Sequence, residues 1–554
     1  MSALTEGLSQ LADFANPRNM KTLREAGAVS AKAPFALAKA FPWLMGRGPS
    51  LGIVCQMNAV VLDQKIALYD RDGSMSFREL DVSSNRAANV LRDLGLRGND
   101  RVALLLRNGR EIVEVVLGAQ KLGIVACPLN TWAKPKELAA TIEQTNAKVL
   151  VYDTQHVEQL ERTDLDGVEL LHIGDRSAAL DGSSSLRDAL SNANVAPPPP
   201  FTRDRGSAKV VIHTSGTTGT PKGAQRNASA AGIGALANLL RVVPYRRDDI
   251  IFCPAPMFHS FGLVTFTFGT ALGTTMVLPE KFDPEDSLRM IDEHGATAAS
   301  FVPVMIKRIV SLPKETIARY DLSSLRVVLA SGSAMSPELR SAAREVFGDV
   351  LYDLYGSTEI GWVTIATPEA IKEKPKTQGK PVHGIEIAVF SEDGHKLGPN
   401  ETGELFVKSD ILFEGYTSGE TKDLRDDYMS IGDVGHLDSE GYLYIEGRAD
   451  DMVVVGGENV YPIEIEELIE SLDGVDEAAV VGVEDEEFGE VLAAFVVGSA
   501  TPDEVAKACK KELASYKVPR RIEKLDELPR TSTGKVVKRE LVGALDGAEP
   551  LEEA

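Results

Sequence analysis

From about residue 76 onward, short apolar runs alternate with stretches in which apolar residues recur every three or four positions. Such alternation is what βα units require, because a buried parallel strand reads as a continuous apolar run and a covering helix shows an apolar stripe. Ser76 and Glu79 form the two ends of a capping box, and Ala87, Val90, Leu91 and Leu94 then hold one helical face until Gly95. Buried strands are predicted at residues 102–106, 149–152, 210–213, 274–278 and 325–329. A further helix is predicted to begin at Ser336 and Pro337, with Leu339, Ala342, Ala343 and Val346 on its inner side. The bulk of the chain is therefore expected to be an α/β protein.

A length of 554 residues leaves room for about three or four compact units. Hydrophobic residues at 43% and charged residues at 25% exclude disordered and collagen-like classes. Cys55, Cys127, Cys253 and Cys509 lie far apart, which argues against a zinc site or a disulfide framework and fits a reducing compartment. With 59 basic and 82 acidic residues the net charge is −23, so the body should repel nucleic acid and anionic lipid. No apolar run long enough to cross a bilayer is present, and the first thirty residues lack a signal-peptide pattern. A cytoplasmic location is expected.

Two segments depart from this average. Residues 1–50 form a basic amphipathic extension, in which Arg18, Lys21, Arg24, Lys32, Lys39 and Arg47 face only Glu25 after position 16, with Phe35, Leu37, Phe41, Trp43 and Leu44 between them. It reads as a helical arm packed on the body, with peripheral membrane contact as the alternative. At the other end, residues 451–506 hold 16 acidic residues and no Lys or Arg, whereas 11 basic residues fall within 507–539. Such segregation suggests a small separate domain with one cationic edge. Between these, residues 197–200 are four consecutive prolines, a stiff spacer.

The strongest chemical signal is Thr214-Ser215-Gly216-Thr217-Thr218-Gly219-Thr220-Pro221-Lys222-Gly223, directly after a predicted strand. Glycines let the backbone present its amides, hydroxyls add donors and Lys222 adds a cation, a composition suited to polyphosphate. A Walker A loop needs Gly before the lysine and Ser or Thr after it. Here those positions are Pro221 and Gly223, so that reading fails.

With this loop stand Pro256-Met257-Phe258-His259-Ser260-Phe261-Gly262, Tyr355-Gly356-Ser357-Thr358-Glu359, Gly432-Asp433, Gly447-Arg448-Ala449-Asp450-Asp451, Gly456-Gly457-Glu458-Asn459 and Pro529-Arg530-Thr531-Ser532-Thr533-Gly534-Lys535. In that order they resemble the adenylate-forming family of acyl-CoA synthetases, peptide-synthetase adenylation domains and firefly luciferase, over about residues 51–541. The resemblance implies a large N-terminal AMP-binding domain, residues 51–449, of layered α/β sheets with a β-barrel-like subdomain. A small mobile α+β lid, residues 450–554, would follow a hinge at Asp450. It also implies ATP, Mg²⁺ and CoA as cofactors, a small-molecule carboxylic acid as substrate and no nucleic acid. A homodimer is left open.

Each motif has a physical task. Tyr355 offers a flat face to a purine, with Gly356 and Ser357 beside it, and Thr358 a hydroxyl to a phosphate oxygen. Glu359 is a hard oxygen ligand for Mg²⁺. Asp433 can accept ribose hydroxyls, and Arg448 can add a ribose or phosphate contact. By resemblance, Gly332, Ser333 and Ala334 wall the adenine. Lys535 would touch carboxylate and α-phosphate together, acting by charge and positioning. His259 would sit beside the bound carboxylate. Phe258, Phe261, Phe301, Val302, Ser331, Ile360, Gly361 and Trp362 would line the acyl pocket.

For the second half-reaction, Gly456 and Gly457 would replace the Lys535 face and leave room for a pantetheine arm. The cationic edge, through Lys510, Lys511, Arg520 and Arg521, would then meet the CoA phosphates. The pocket offers no Asp for an α-ammonium group, so a medium- or long-chain fatty acid is expected. An aryl or branched acid, a fatty-acyl-AMP ligase loading a carrier protein, and a non-catalytic nucleotide-binding protein are the alternatives.

Overall fold

The structure is a computed structural model that describes residues 16–160, 162–200, 209–214, 222–227, 233–357, 359–409, 422–449, 451–455, 458–485, 489–530 and 536–544. Its described strands form four sheets. The first has nine strands and a parallel centre, with Leu351–Ser357, Val327–Ser331, Ala298–Phe301, Ile250–Phe252 and Thr275–Val277 side by side. The second has seven strands, parallel from Ser184–Ser185 through Val125–Pro128 to Lys209–Thr214, and closes on an antiparallel edge at Lys222–Asn227. Helices Phe77–Asp93 and Arg110–Leu122 pack between these layers within the largest core cluster.

The third sheet, antiparallel, joins Ile385–Phe390, Gly403–Ser409, Tyr428–Leu437, Leu424–Arg425 and Leu443–Arg448. The fourth sheet belongs to the C-terminal unit and has its own core, in which Ile465 and Ile469 of the helix Pro462–Glu470 meet Val480, Leu492 and Val505. The chain is thus a mixed α/β protein with a large N-terminal domain of sheets and a smaller C-terminal one.

Local chemistry explains most of the elements that the sequence announces. The Ser76–Glu79 capping box is present in both directions: the Ser76 amide donates to Glu79 Oε2 at 2.8 Å, and the Glu79 amide donates to Ser76 Oγ at 3.2 Å. Ser336 caps the helix Pro337–Phe347. The strand predicted at 325–329 lies two residues later, at Val327–Ser331. Leu325 is buried but precedes the ladder, and Ser331 completes it by donating its hydroxyl to the Leu354 carbonyl at 2.8 Å.

The N-terminal arm forms helices Pro17–Glu25 and Ala33–Arg47 before Leu51–Val61 enters the core. It is fixed to the body. Trp43 Nε1 donates to the Pro198 carbonyl at 2.8 Å, and Arg47 donates to the carbonyls of Pro199 and Leu122, each at 2.8 Å. The prolines of the linker therefore serve as acceptors for the arm. Among the described residues no helix is long and apolar enough to cross a membrane.

Charge segregation in the last hundred residues resolves into pairing. Lys517 meets Glu464 at 2.6 Å, Lys538 meets Glu466 at 2.9 Å, and Arg530 meets Glu477 at 2.8 Å. The expected cationic edge is thus partly consumed by the acidic run of the same domain.

Candidate active site

Three sheets converge on one region. The parallel strands Ala298–Phe301, Val327–Ser331 and Leu351–Ser357 of the first sheet end together, and clefts for ligands form where parallel strands end. After Val327–Ser331 the chain turns at Gly332, whose φ of +107° suits glycine, and runs through the exposed Ser333 and Ala334. Val302 Cγ1 lies 3.3 Å from where a Cβ of Gly332 would stand, so the turn and the end of the neighbouring strand are in contact.

Leu351–Ser357 folds back as the antiparallel strand Gly361–Ala366, with Gly356 opposite Trp362 and Ser357 opposite Gly361. A Cβ on Gly356 would fall 1.9 Å from the Gly361 carbonyl oxygen, so only glycine permits this approach. The half-buried Glu359 sits in the connecting turn, which the Ile360 amide tightens by donating to Ser357 Oγ at 3.3 Å.

Beside this hairpin, the third sheet places Asp433 directly opposite Arg448 across its antiparallel ladder. Arg448 Nη1 lies 3.3 Å from Asp433 Oδ1, while the Tyr355 hydroxyl donates to Asp433 Oδ2 and ties the first sheet to the third. Asp433 is 8% exposed. Burial, and then the Asp433 charge and hydrogen bond, push the Tyr355 phenol well above its ordinary range, so it remains a donor. Tyr355, Asp433 and Arg448 are thus brought together as a ring, a carboxylate and a guanidinium, the combination a ribonucleoside needs.

The other wall carries aromatics. Phe258 and His259 precede the helix Ser260–Leu272, with ring centroids 4.4 Å apart. Asn108, from the end of a strand in the second sheet, holds their loop: its Nδ2 donates to the Ala255 carbonyl at 3.0 Å and its Oδ1 accepts from the Met257 amide at 2.9 Å. Trp132, also from the second sheet, stands edge-on to Phe258 at 5.3 Å and 6.4 Å from His259, although 52% exposed. Neither Asn108 nor Trp132 stood out in the sequence. Both act on the Phe258–His259 loop from more than a hundred residues away in the sequence.

Ile360 and Trp362 are buried in the core cluster that Phe258's half-buried neighbour Phe261 also packs against. Ser331 is buried and engaged with the Leu354 carbonyl. Phe301, expected in the acyl pocket, is fully buried in a second core cluster. Strand alternation puts it with Ala299 on the opposite face, where its fully buried ring lies 5.8 Å from Phe252 and 6.0 Å from Phe347.

Of the segment expected to hold phosphate, Thr214 and Lys222 stand opposite each other in the antiparallel register of Lys209–Thr214 and Lys222–Asn227. Ser215, Gly216, Thr217, Thr218 and Gly219 lie outside the described residues, as do Thr358, Asp450, Gly456, Gly457 and Lys535. The half-buried Glu359 supplies an oxygen of the kind Mg²⁺ takes, and Mg²⁺ on a triphosphate needs only one or two protein carboxylates, so the residues present fit that ion. All four cysteines are free and buried, and burial pushes the Cys55, Cys127 and Cys253 thiols up to about 12 and the Cys509 thiol up to about 11. None of them is a ready nucleophile.

Comparison with known proteins identifies the family. Residues 55–417 match the model of the AMP-binding enzyme family, and residues 464–535 match that of the AMP-binding enzyme C-terminal domain. The chain is 31% identical over 479 residues to the long-chain-fatty-acid–CoA ligase FadD13 of Mycobacterium tuberculosis, covering 84% of this chain and 92% of that protein. It is 32% identical over 494 residues to the 2-succinylbenzoate–CoA ligase of Geobacillus kaustophilus, covering 88% and 96%. Among solved structures it is similar to the anthranilate CoA ligase AuaEII in complex with anthranoyl-AMP. That match has a TM-score of 0.81 at 27% identity, covering 90% of this chain and 97% of the other.

Proposed function

The chain belongs to the AMP-binding enzyme family, whose adenylate-forming chemistry makes it an acid–CoA ligase, and from that premise we propose that its acid is a medium- or long-chain fatty acid. In the first step a carboxylate oxygen attacks the α-phosphorus of ATP, forming an acyl-AMP mixed anhydride as pyrophosphate leaves. In the second, the CoA sulfur attacks the acyl carbon, the thioester forms and AMP leaves with the anhydride's bonding pair.

The observation that carries the substrate reading is the lining. Phe258 and Phe261 from one segment of the chain and Ile360 and Trp362 from another supply an apolar wall, and none of them offers a counter-charge for an α-ammonium group. The similarity to FadD13 supports the same class. A second reading, an aryl acid, is favoured by Trp132 standing edge-on to Phe258, since two rings so placed suit a flat substrate. The similarities to the 2-succinylbenzoate and anthranilate ligases point that way too.

The chain's own residues have separate tasks in this scheme. Asp433 and Arg448 receive the ribose, and Tyr355 keeps the carboxylate aimed while presenting its ring to the base. Glu359 would hold Mg²⁺, which supplies charge neutralisation on the phosphates when bound. Asn108 positions the Phe258–His259 loop against the acid. Lys535 gathers carboxylate and phosphate, and the lid then turns about Asp450 so that Gly456 and Gly457 face the thiol. The free, buried thiols support a cytoplasmic setting.

AMP release measured with CoA over a panel of straight-chain and aryl acids tests the substrate class. Turnover highest with alkyl acids supports the first reading, and turnover confined to aryl acids replaces it with the second. Lys535→Ala should abolish adenylate formation while thioester formation from supplied acyl-adenylate persists. Equal loss in both assays would refute the two-step division of the lid.

A further inference from the structure

We propose that the outer face of the helix Ala33–Arg47 docks on an anionic lipid bilayer. A helix packed on a globular body ordinarily buries its large apolar side chains and exposes small or polar ones. This helix is inverted. Ala36, Ala40 and Gly46 face the body, while Phe35 is 68% exposed, Phe41 56%, Met45 46% and Leu37 40%.

Leu37, Phe41 and Met45 follow one another at four-residue spacing, and Phe35 extends the patch around the helix. Elsewhere among the described residues the exposed large apolar side chains, such as Leu424 and Tyr516, stand singly on separate elements. Water is a poor partner for a contiguous apolar stripe of this kind, and such stripes mark interaction surfaces.

Charge selects the partner. Between residues 16 and 50 there are six Lys and Arg against Glu25 alone, on a chain whose net charge is −23. Fields of exposed charges die away over about 8–10 Å in physiological salt, so a surface touching the arm meets its local positive charge and not the acidic body. Lys32 and Lys39 are exposed seven residues apart on the same side of the helix, placed to reach past the apolar stripe to headgroup phosphates. Two arms of two copies pressed face to face would set like charges against each other, which disfavours a homotypic contact.

Orientation is fixed as well. The bonds from Trp43 and Arg47 to the carbonyls of residues 198, 199 and 122 clamp the helix by its inner side, so the outer side cannot turn in to hide. The arm is a rigid foot, and it places the body on the surface in one attitude.

The test is co-sedimentation of the whole protein with vesicles of mixed phosphatidylglycerol and phosphatidylcholine, and with phosphatidylcholine alone, at about 0.15 M salt. Binding to the mixed vesicles and little to the neutral ones is expected. Phe35→Ser with Phe41→Ser should lower the partition at least tenfold, and Lys32→Gln with Lys39→Gln should lower it roughly tenfold. All four side chains are exposed, so both variants should keep the wild-type circular dichroism and ATP affinity, which verifies that they fold. No sedimentation with the mixed vesicles, or partition unchanged by the phenylalanine pair, overturns the proposal. Sedimentation velocity without lipid supplies a further check: a wild-type dimer that the phenylalanine pair converts to monomer would assign the face to a second copy and overturn it too.

Discussion

Replacing Asp433 by Asn tests the nucleotide end of the site most directly. The carboxylate is 8% exposed, 3.3 Å from Arg448 Nη1 and hydrogen-bonded by the Tyr355 hydroxyl. A carboxylate offers about four acceptor positions, so ribose hydroxyls can share it with both neighbours. A hydrogen bond to a charged group contributes roughly 1.5–3 kcal/mol. The carboxamide of the Asp433→Asn variant would keep one acceptor oxygen, replace the other by an amino group and lose the charge, removing on the order of 2–3 kcal/mol of the ribose interaction. The dissociation constant for ATP should rise about 30- to 150-fold. Calorimetric titration of ATP without any acid measures this independently of the unknown substrate. Wild type and variant should each also be titrated with 2′,3′-dideoxy-ATP. If Asp433 holds the ribose, the substitution costs much for ATP and little for the dideoxy nucleotide, because the partner is already gone. Equal weakening for both nucleotides would refute the assignment and make Asp433 merely a support for Tyr355 and Arg448.

Arg340 is 1% exposed, with Nη2 2.5 Å from Asp353 Oδ2 and Nη1 donating to the carbonyls of Pro375 and Thr377. Arg340→Met strands a buried carboxylate and should cost roughly 3–5 kcal/mol in urea denaturation, most of it recovered when Asp353→Leu is added. Glu114 is buried against Ser83, and its carboxyl is pushed up to about 7, first by burial and then by Glu111, against the opposing Ser83 and Arg110. Since its pKa is raised by folding, its contribution is complete below the ordinary carboxylate range and is lost as pH rises through about 7. The unfolding free energy from urea curves between about pH 5 and about pH 8 should therefore fall more steeply in wild type than in Glu114→Gln, by up to about 3 kcal/mol, and parallel pH profiles would count against it. Trp132→Ala removes an edge contact worth about 0.5–1.5 kcal/mol. It should alter the ranking of acids in pyrophosphate exchange while leaving ATP affinity unchanged, and an unaltered ranking would remove Trp132 from the acyl wall.

The parts of the site that could be read from the sequence are those whose chemistry is carried by one contiguous segment. Tyr355, Gly356 and Ser357 come as a unit because one bulged hairpin needs all three, and Gly356 is forced by the backbone it touches. Asp433 and Arg448 were legible separately, but not their pairing across a ladder, which depends on register. Asn108 and Trp132 were not legible at all. Each sits in a loop of the second sheet and acts on a loop of the first, more than a hundred residues away, so no local pattern marks them. Phe301 shows how register decides where a motif residue lies. Its motif position suggested the pocket, yet strand alternation sends its side chain to the core on the other face.

The acidic run at the start of the C-terminal domain gains a meaning from its neighbours that its composition lacked. Some of its carboxylates meet basic residues of their own domain, but Glu467 meets Lys376 of the large domain at 2.6 Å, and Glu477 meets Lys307 at 3.5 Å, with Lys307 also donating to the Asp476 carbonyl. Lys376 is 66% exposed, and exposed pairs of this kind contribute at most about 1 kcal/mol each. Under the proposed rotation, a lid that left one position for another would not hold a large dry interface in either, because the apolar area given up would appear in the barrier to turnover. Pairs that water can replace keep the exchange easy and also make it sensitive to salt. If lid rotation limits the second half-reaction, raising ionic strength should speed thioester formation from supplied acyl-adenylate in wild type and have little effect in Lys307→Gln with Lys376→Gln, where the pairs are already absent.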